Sequence, residues 1–351
     1  MARSVDVGGL VERALAGDPR SVGRLITLVE DGASELRELM AVLAPHSGSA
    51  HIVGLTGAPG VGKSTTTSAL VQELRAAGRR VGVLAVDPSS PFSGGALLGD
   101  RIRMQEHATD PDVFIRSMAA RGHLGGLASS TPQAVRVLDA AGFDPVLVET
   151  VGVGQSEVEV AGEADTTIVL LAPGMGDGIQ AAKAGILEVG DIFVVNKADR
   201  DGADATAREL RHMISLGHSG PFRRSGASGR PTHAVGPEMA DARPSGTAPS
   251  GPSGTWRPPV LKVVATRGEG VPALREAVEA HRSWLGESGT GVARRRQRAR
   301  SEIQGIALAA LRARFADLGG AGALDHLADE VAAGRSDAFT AADRIIAEVS
   351  G

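Results

Sequence analysis

The residues Gly57-Ala58-Pro59-Gly60-Val61-Gly62-Lys63-Ser64 fit the pattern G-x-x-x-x-G-K-[ST], whose chemistry is the holding of a triphosphate. The glycines let consecutive backbone N–H groups turn inward onto phosphate oxygens. Lys63 is expected to reach the β- and γ-phosphates, and the Ser64 hydroxyl to bind Mg²⁺. Thr65 follows in the first turn of a helix whose positive end adds to the attraction. The run HIVGLT (51–56) before the motif reads as a strand, and the stretch through Leu70 and Leu74 after it as a helix, which is the context this motif needs.

A second cluster, Asn196-Lys197-Ala198-Asp199, reads as a guanine site. A carboxylate at Asp199 can accept from both the ring N–H and the exocyclic NH₂ of guanine. Adenine offers neither donor there and would leave the carboxylate unpaired. Hydrogen bonds to charged groups are worth about 1.5–3 kcal/mol each, so two of them favour GTP and GDP strongly. Asn196 is expected to tie this loop to the glycine-rich loop, and Lys197 to pack its stem over the base. Ala265, ending the run VLKVVA, is a further candidate for contact with the nucleotide.

Three further places carry candidate chemistry. Glu149-Thr150-Val151-Gly152 ends the run PVLVETV; a carboxylate here would hold Mg²⁺, and the Gly152 N–H would sense the γ-phosphate. Most GTPases carry Asp where this chain has Glu149. Asp87 and Asp100 bracket the segment DPSSPFSGG, which reads as a mobile switch closing on the metal; a turn at Asp87-Pro88 and a helix cap at Asp100 read as well from residue type. Lys183 is either a cation facing the phosphates or a solvated helix lysine. No Gln directly follows Gly152, Gln155 stands three residues on, and intrinsic turnover is expected to be slow, on the order of 10⁻⁴ to 10⁻² s⁻¹.

The elements that must position these groups are legible as alternating short apolar runs and helical stretches. The runs are 51–56, 81–87, 113–117, 145–151, 166–172, 191–196 and 260–265, apolar on both faces. That predicts a doubly wound α/β fold with a mostly parallel sheet, ligands sitting at the carboxyl ends of the strands. Residues 1–45 read as an N-terminal helical extension, with Asp18-Pro19 as an N-cap and first helical residue. Residues 46–285 form the nucleotide-binding domain, interrupted at 217–259 by a Gly-, Pro-, Ser- and Arg-rich stretch too poor in apolar side chains to order readily. Residues 286–351 read as a C-terminal helical region.

Composition excludes several function classes. There is no cysteine, which removes disulfides, thiolate metal sites and cysteine nucleophiles. A net charge of −4 gives no basic footprint for nucleic acid. No signal peptide and no apolar run of membrane-spanning length are evident, so a cytoplasmic protein without membrane partners is expected. His51, His107, His123 and His212 show no metal-ligand spacing. The Arg294–Arg300 cluster reads as the solvated face of a helix.

In the order GAPGVGKS, DPSSPFSGGALLGDRIRM, RGHLGGLA (121–128), ETVGVGQSE and NKAD, the chain closely resembles the MeaB/ArgK family of SIMIBI-class GTPases, from its N-terminal to its C-terminal helices and outside 217–259. The resemblance implies a GTPase chaperone of an adenosylcobalamin-dependent acyl-CoA mutase, typically methylmalonyl-CoA mutase, that gates cofactor delivery and protects the mutase. It implies a homodimer joined largely by the C-terminal helices. It also places Asp87 and Asp100 in the first switch and metal shell, Glu149 in the Mg²⁺ shell and second switch, and Asp177–Lys183 in a third switch facing the mutase. The catalytic candidates are then Lys63, Asp87, Glu149 and Lys183, with Ser64, Asp87, Asp100 and Glu149 as metal ligands. A metallochaperone GTPase and a nucleotide-dependent kinase of a transport system are the alternatives.

Overall fold

In a computed structural model of the chain, the structure describes residues 6–88, 105–107, 109–120, 130–150, 162–174, 186–219, 254–317 and 320–350. They fall into two compact units, Met1–Gly291 and Val292–Gly351.

The first unit is built on a seven-stranded sheet in which every pairing is parallel. Its strands are β1 (Ile52–Gly57), β2 (Val81–Pro88), β3 (Val113–Ala120), β4 (Val146–Thr150), β5 (Thr166–Leu171), β6 (Ile192–Val195) and β7 (Val260–Lys262), in the spatial order β3-β2-β4-β1-β5-β6-β7. Each apolar run of the sequence supplies one strand. They are rich in Val, Ile and Leu because parallel strands are covered on both faces. β1 lies centrally: the chain winds outward to β2 and β3 on one side and later to β5, β6 and β7 on the other. The winding therefore reverses at the end of β1, where such sheets leave a crevice for ligands.

Alternating side chains feed two layers. One face (Val53, Leu55, Leu147, Ile168, Val194) packs against α4 (Lys63–Ala76) and α8 (Val271–Glu287). The other face receives α1 (Val7–Leu15), α2 (Pro19–Glu30), α3 (Leu36–Leu43) and α5 (Thr131–Ala140) against β2 and β4, and α7 (Ala203–Ser219) against β5 and β6. A single turn, α6 (Ile186–Val189), precedes β6. The N-terminal helices are thus part of the first unit's core: Leu25, Ile26 and Leu39 are fully buried. Asp18 caps α2 by accepting from the Arg20 and Ser21 N–H groups, with Pro19 in the first turn, where its missing donor costs nothing. Arg116 on β3 pairs with Glu30 and donates to Thr27 Oγ1 at 3.2 Å, pinning α2 to the sheet edge.

Of the polar stretch 217–259, the structure describes both ends. α7 runs through Ser219, and Gly254–Pro259 is held beneath β6. Trp256 donates to Asp191 O at 2.8 Å and packs on His281, which stacks on Trp284; Trp284 in turn donates to Gly254 O. This aromatic clasp lies at the start of β6, the end of the sheet opposite the crevice. His281 is fully buried, and its Nδ1 lies 2.7 Å from Thr166 Oγ1, a hydroxyl shared with His51 Nε2 at 2.8 Å.

The second unit contains most of α9 (Thr290–Asp317), α10 (Gly320–Ala332) and α11 (Ala338–Ser350). Leu327, Val331, Ala341 and Ile345 line an apolar groove of about 570 Å³ between α10 and α11. Among the described residues no helix is long and apolar enough to cross a membrane.

Candidate nucleotide site

The loop from Gly57 to Lys63 joins the central strand to the N-terminus of α4, so its backbone amides and the helix end converge on the crevice. Two glycines are dictated by geometry. At Gly57, φ is 144° and a Cβ would collide with the carbonyl of Leu170 on β5. At Gly62, φ is 94° and a Cβ would collide with the side-chain amide of Asn196. The loop is thus packed against the base-side loop through a glycine. Pro59 and Gly60 form its exposed tip and Ala58 is half-buried, while Val61 is buried in the core under it.

Lys63 is buried, and its ammonium curls back over the loop, donating to Gly57 O at 2.7 Å and Ala58 O at 3.1 Å. It therefore sits inside the ring of the loop, where a phosphate oxygen would replace a carbonyl as acceptor. The next residue, Ser64, is also buried, and its hydroxyl donates to Glu149 Oε1 at 2.6 Å. Thr65 is exposed.

Glu149 comes from β4, one residue before the strand's last. It points to the face covered by α4, alternating with Val148 on the other. The residue is only 3% exposed. Besides Ser64, it accepts from Thr67 Oγ1 at 2.9 Å. A hydroxyl and a carboxylate brought together, hard oxygen donors beside a phosphate loop, suit Mg²⁺. Asp87 is next to last in β2 and so reaches the same end of the sheet. Its side chain, and Asp100, Gly152, Gln155 and Lys183, lie outside the described residues. No group of three or more potential metal-ligating side chains occurs among the described residues.

On the base side, Asn196 follows the last residue of β6 and is 3% exposed. It donates through Nδ2 to Val61 O at 2.8 Å and accepts at Oδ1 from the Ala265 N–H at 3.2 Å. One amide thereby joins the phosphate loop, the base loop and the turn after β7. Lys197 adopts φ of 55°, the one left-handed non-glycine residue among those described, and its ammonium donates to Gly60 O at 2.6 Å. Its stem spans from the base loop to the phosphate loop, which is where a base would lie beneath it. Asp199 is exposed at the mouth of the site, where a ligand edge would meet it.

Two participants were not singled out from sequence. Thr67 lies three residues after Ser64, hence on the same helix face; that spacing within KSTTT is the signal that points to it. Arg267 reaches Asp199 Oδ2 at 3.4 Å while Glu269 holds its guanidinium at 2.7 Å. Only folding of the 265–267 turn against β6 brings these together, so no sequence pattern announces it.

With the geometry in place, comparison with known proteins gives one consistent result. The family model described as methylmalonyl-CoA mutase-associated GTPase MeaB matches residues 22–318. A protein of Pyrococcus abyssi named as a GTPase is 44% identical over 342 residues, covering 97% of this chain and 96% of the relative. The mouse protein named methylmalonic aciduria type A homolog, mitochondrial, is 34% identical over 293 residues, covering 80% of this chain and 64% of its own. Among solved structures, one titled LAO/AO transport system kinase superposes with a TM-score of 0.66 at 24% identity, covering 100% of each chain, which is a likeness of fold.

Proposed function

The chain belongs to the MeaB family of P-loop GTPases, and from that membership we propose that it is a GTP-hydrolysing chaperone of an adenosylcobalamin-dependent acyl-CoA mutase, with methylmalonyl-CoA mutase as the expected partner. Support for the partner comes from the description of the family model, which names that mutase. In this reading the bound nucleotide sets the state of the switch segments, and those segments gate loading of the mutase with its cofactor and its protection from inactivation.

The site's own residues supply the nucleotide half of the reading. The amides of 57–63 and Lys63 bind and orient the phosphates, and the burial of Lys63 and Ser64 excludes water around them. Asp199 selects guanine, and Asn196 fixes the distance between phosphate and base subsites. Mg²⁺, when bound at Ser64 and Glu149, neutralises phosphate charge. Slow turnover is expected of such a site, because its described groups bind and orient the nucleotide and none of them is placed as an arginine finger.

The C-terminal unit supports pairing with a second copy. Phe339 is 85% exposed and Ile303 68%, and Ile346, which lines the groove of α10 and α11, is exposed as well. Large apolar side chains in such numbers on one small unit are costly in water and suit a protein partner. A cytoplasmic location completes the reading.

The test is GTP turnover by the purified chain with and without a purified methylmalonyl-CoA mutase. A rise in turnover on adding the mutase is expected. No complex and unchanged turnover would contradict the partner while leaving the GTPase assignment standing.

A further inference from the structure

We propose that Thr67 is a positioning residue that locks the carboxylate of Glu149 in the rotamer that presents Oε1, beside Ser64, to Mg²⁺. The proposal rests on the nucleotide-and-metal reading of the site and adds to it a role for a residue outside the metal's own ligands.

The observation is a buried three-residue relay. Ser64 Oγ donates to Oε1 at 2.6 Å and Thr67 Oγ1 to Oε2 at 2.9 Å, with Thr67 fully buried. A glutamate has one more rotatable bond than the aspartate found at this place in most GTPases. Fixing that bond costs conformational entropy whenever a metal is to be held. Oε1 and Oε2 are equivalent chemically, so nothing in the glutamate itself says which faces the phosphate loop. A hydroxyl on each side of the carboxylate, from the same face of α4, removes both freedoms before any metal arrives.

Threonine suits the place for a second reason. Its hydroxyl also lies 3.1 Å from Lys63 O, one helical turn back. One proton cannot serve both acceptors, and the carboxylate is the stronger. If the carboxylate turns away, the proton has the carbonyl as an alternative partner, so a buried hydroxyl is left satisfied while the bond to Glu149 holds whenever Oε1 faces the metal. Valine has the same shape without the proton; serine keeps the proton.

The experiment measures release of a fluorescent GDP analogue from the full chain as free Mg²⁺ is titrated, and again in excess EDTA. Outer residues that orient metal ligands typically carry about 10-fold in metal affinity. Thr67→Val should raise the Mg²⁺ concentration for half-maximal GDP retention by about 10-fold, with the release rate in EDTA unchanged. Thr67→Ser should restore the wild-type midpoint. An unaltered midpoint in Thr67→Val, or equal acceleration with and without metal, would overturn the proposal alone. Should Thr67→Val fail to fold by circular dichroism, the midpoint of Thr67→Ala decides in the same way. Wild-type release that ignores Mg²⁺ would overturn both the proposal and the metal reading beneath it.

Discussion

Asn196 spends both ends of one side-chain amide on keeping two loops a fixed distance apart, and a nucleotide must fit that distance. Because the amide is buried, its removal strands the Val61 carbonyl and the Ala265 N–H, each a loss of about 1–3 kcal/mol. Asn196→Ala should therefore lower the melting temperature and weaken GDP binding together, read by thermal melts with and without nucleotide; an intact GDP affinity would mean the strut is irrelevant to binding. What was legible at this scale was what a short segment carries by itself. The phosphate loop and N-K-x-D cluster depend on residues adjacent in the chain, so pattern alone located them. Thr67 and Arg267 act through partners 82 and 68 residues away, respectively, and only packing reveals them.

At the scale of elements, the seven runs of apolar residues each became a strand because burial on both faces leaves little alternative for such a sequence. Less legible was the strapping at the far end of the sheet. The sequence 217–259 is poor in apolar residues, yet Trp256 docks its end on His281, a contact decided by one aromatic rather than by average composition. Nearby, Asp144 precedes β4 and joins that strand to α8 through a two-point pair with Arg282, at 2.9 and 2.7 Å. Burial alone would raise its carboxyl, but the Arg282 fork and the His51 N–H hold it below the ordinary carboxylate value. A depressed folded-state pKa contributes stability that is present above the unfolded value near 4 and is lost as pH falls through the folded one. Wild-type stability should thus decline as pH drops below about 4, and Asp144→Asn should show a shallower decline in urea titrations at stepped pH. An identical slope for both proteins would remove Asp144 from the acid response.

Across the whole molecule, the two units divide tasks that their surfaces declare. The first buries its apolar side chains around the sheet and keeps charge at the crevice. The second leaves Phe339, Ile303 and Ile346 in water. That residues 286–351 are helical was visible in sequence, but which face would stay uncovered was not, since an amphipathic stripe looks the same whether it meets its own chain or another. Sedimentation velocity should show a dimer, and Phe339→Asp with Ile346→Asp should shift it to monomer while GDP binding persists; a monomeric wild type would refute pairing. The claim on which everything else depends is that one crevice reads guanine and holds its phosphates. Calorimetric titration of the purified chain with GDP and then ADP in Mg²⁺ tests it most directly. GDP should bind about 100-fold or more tighter than ADP, the two charged hydrogen bonds at Asp199 supplying the difference, and Asp199→Asn should erase the preference. Equal affinity for the two nucleotides in the wild-type protein would contradict it.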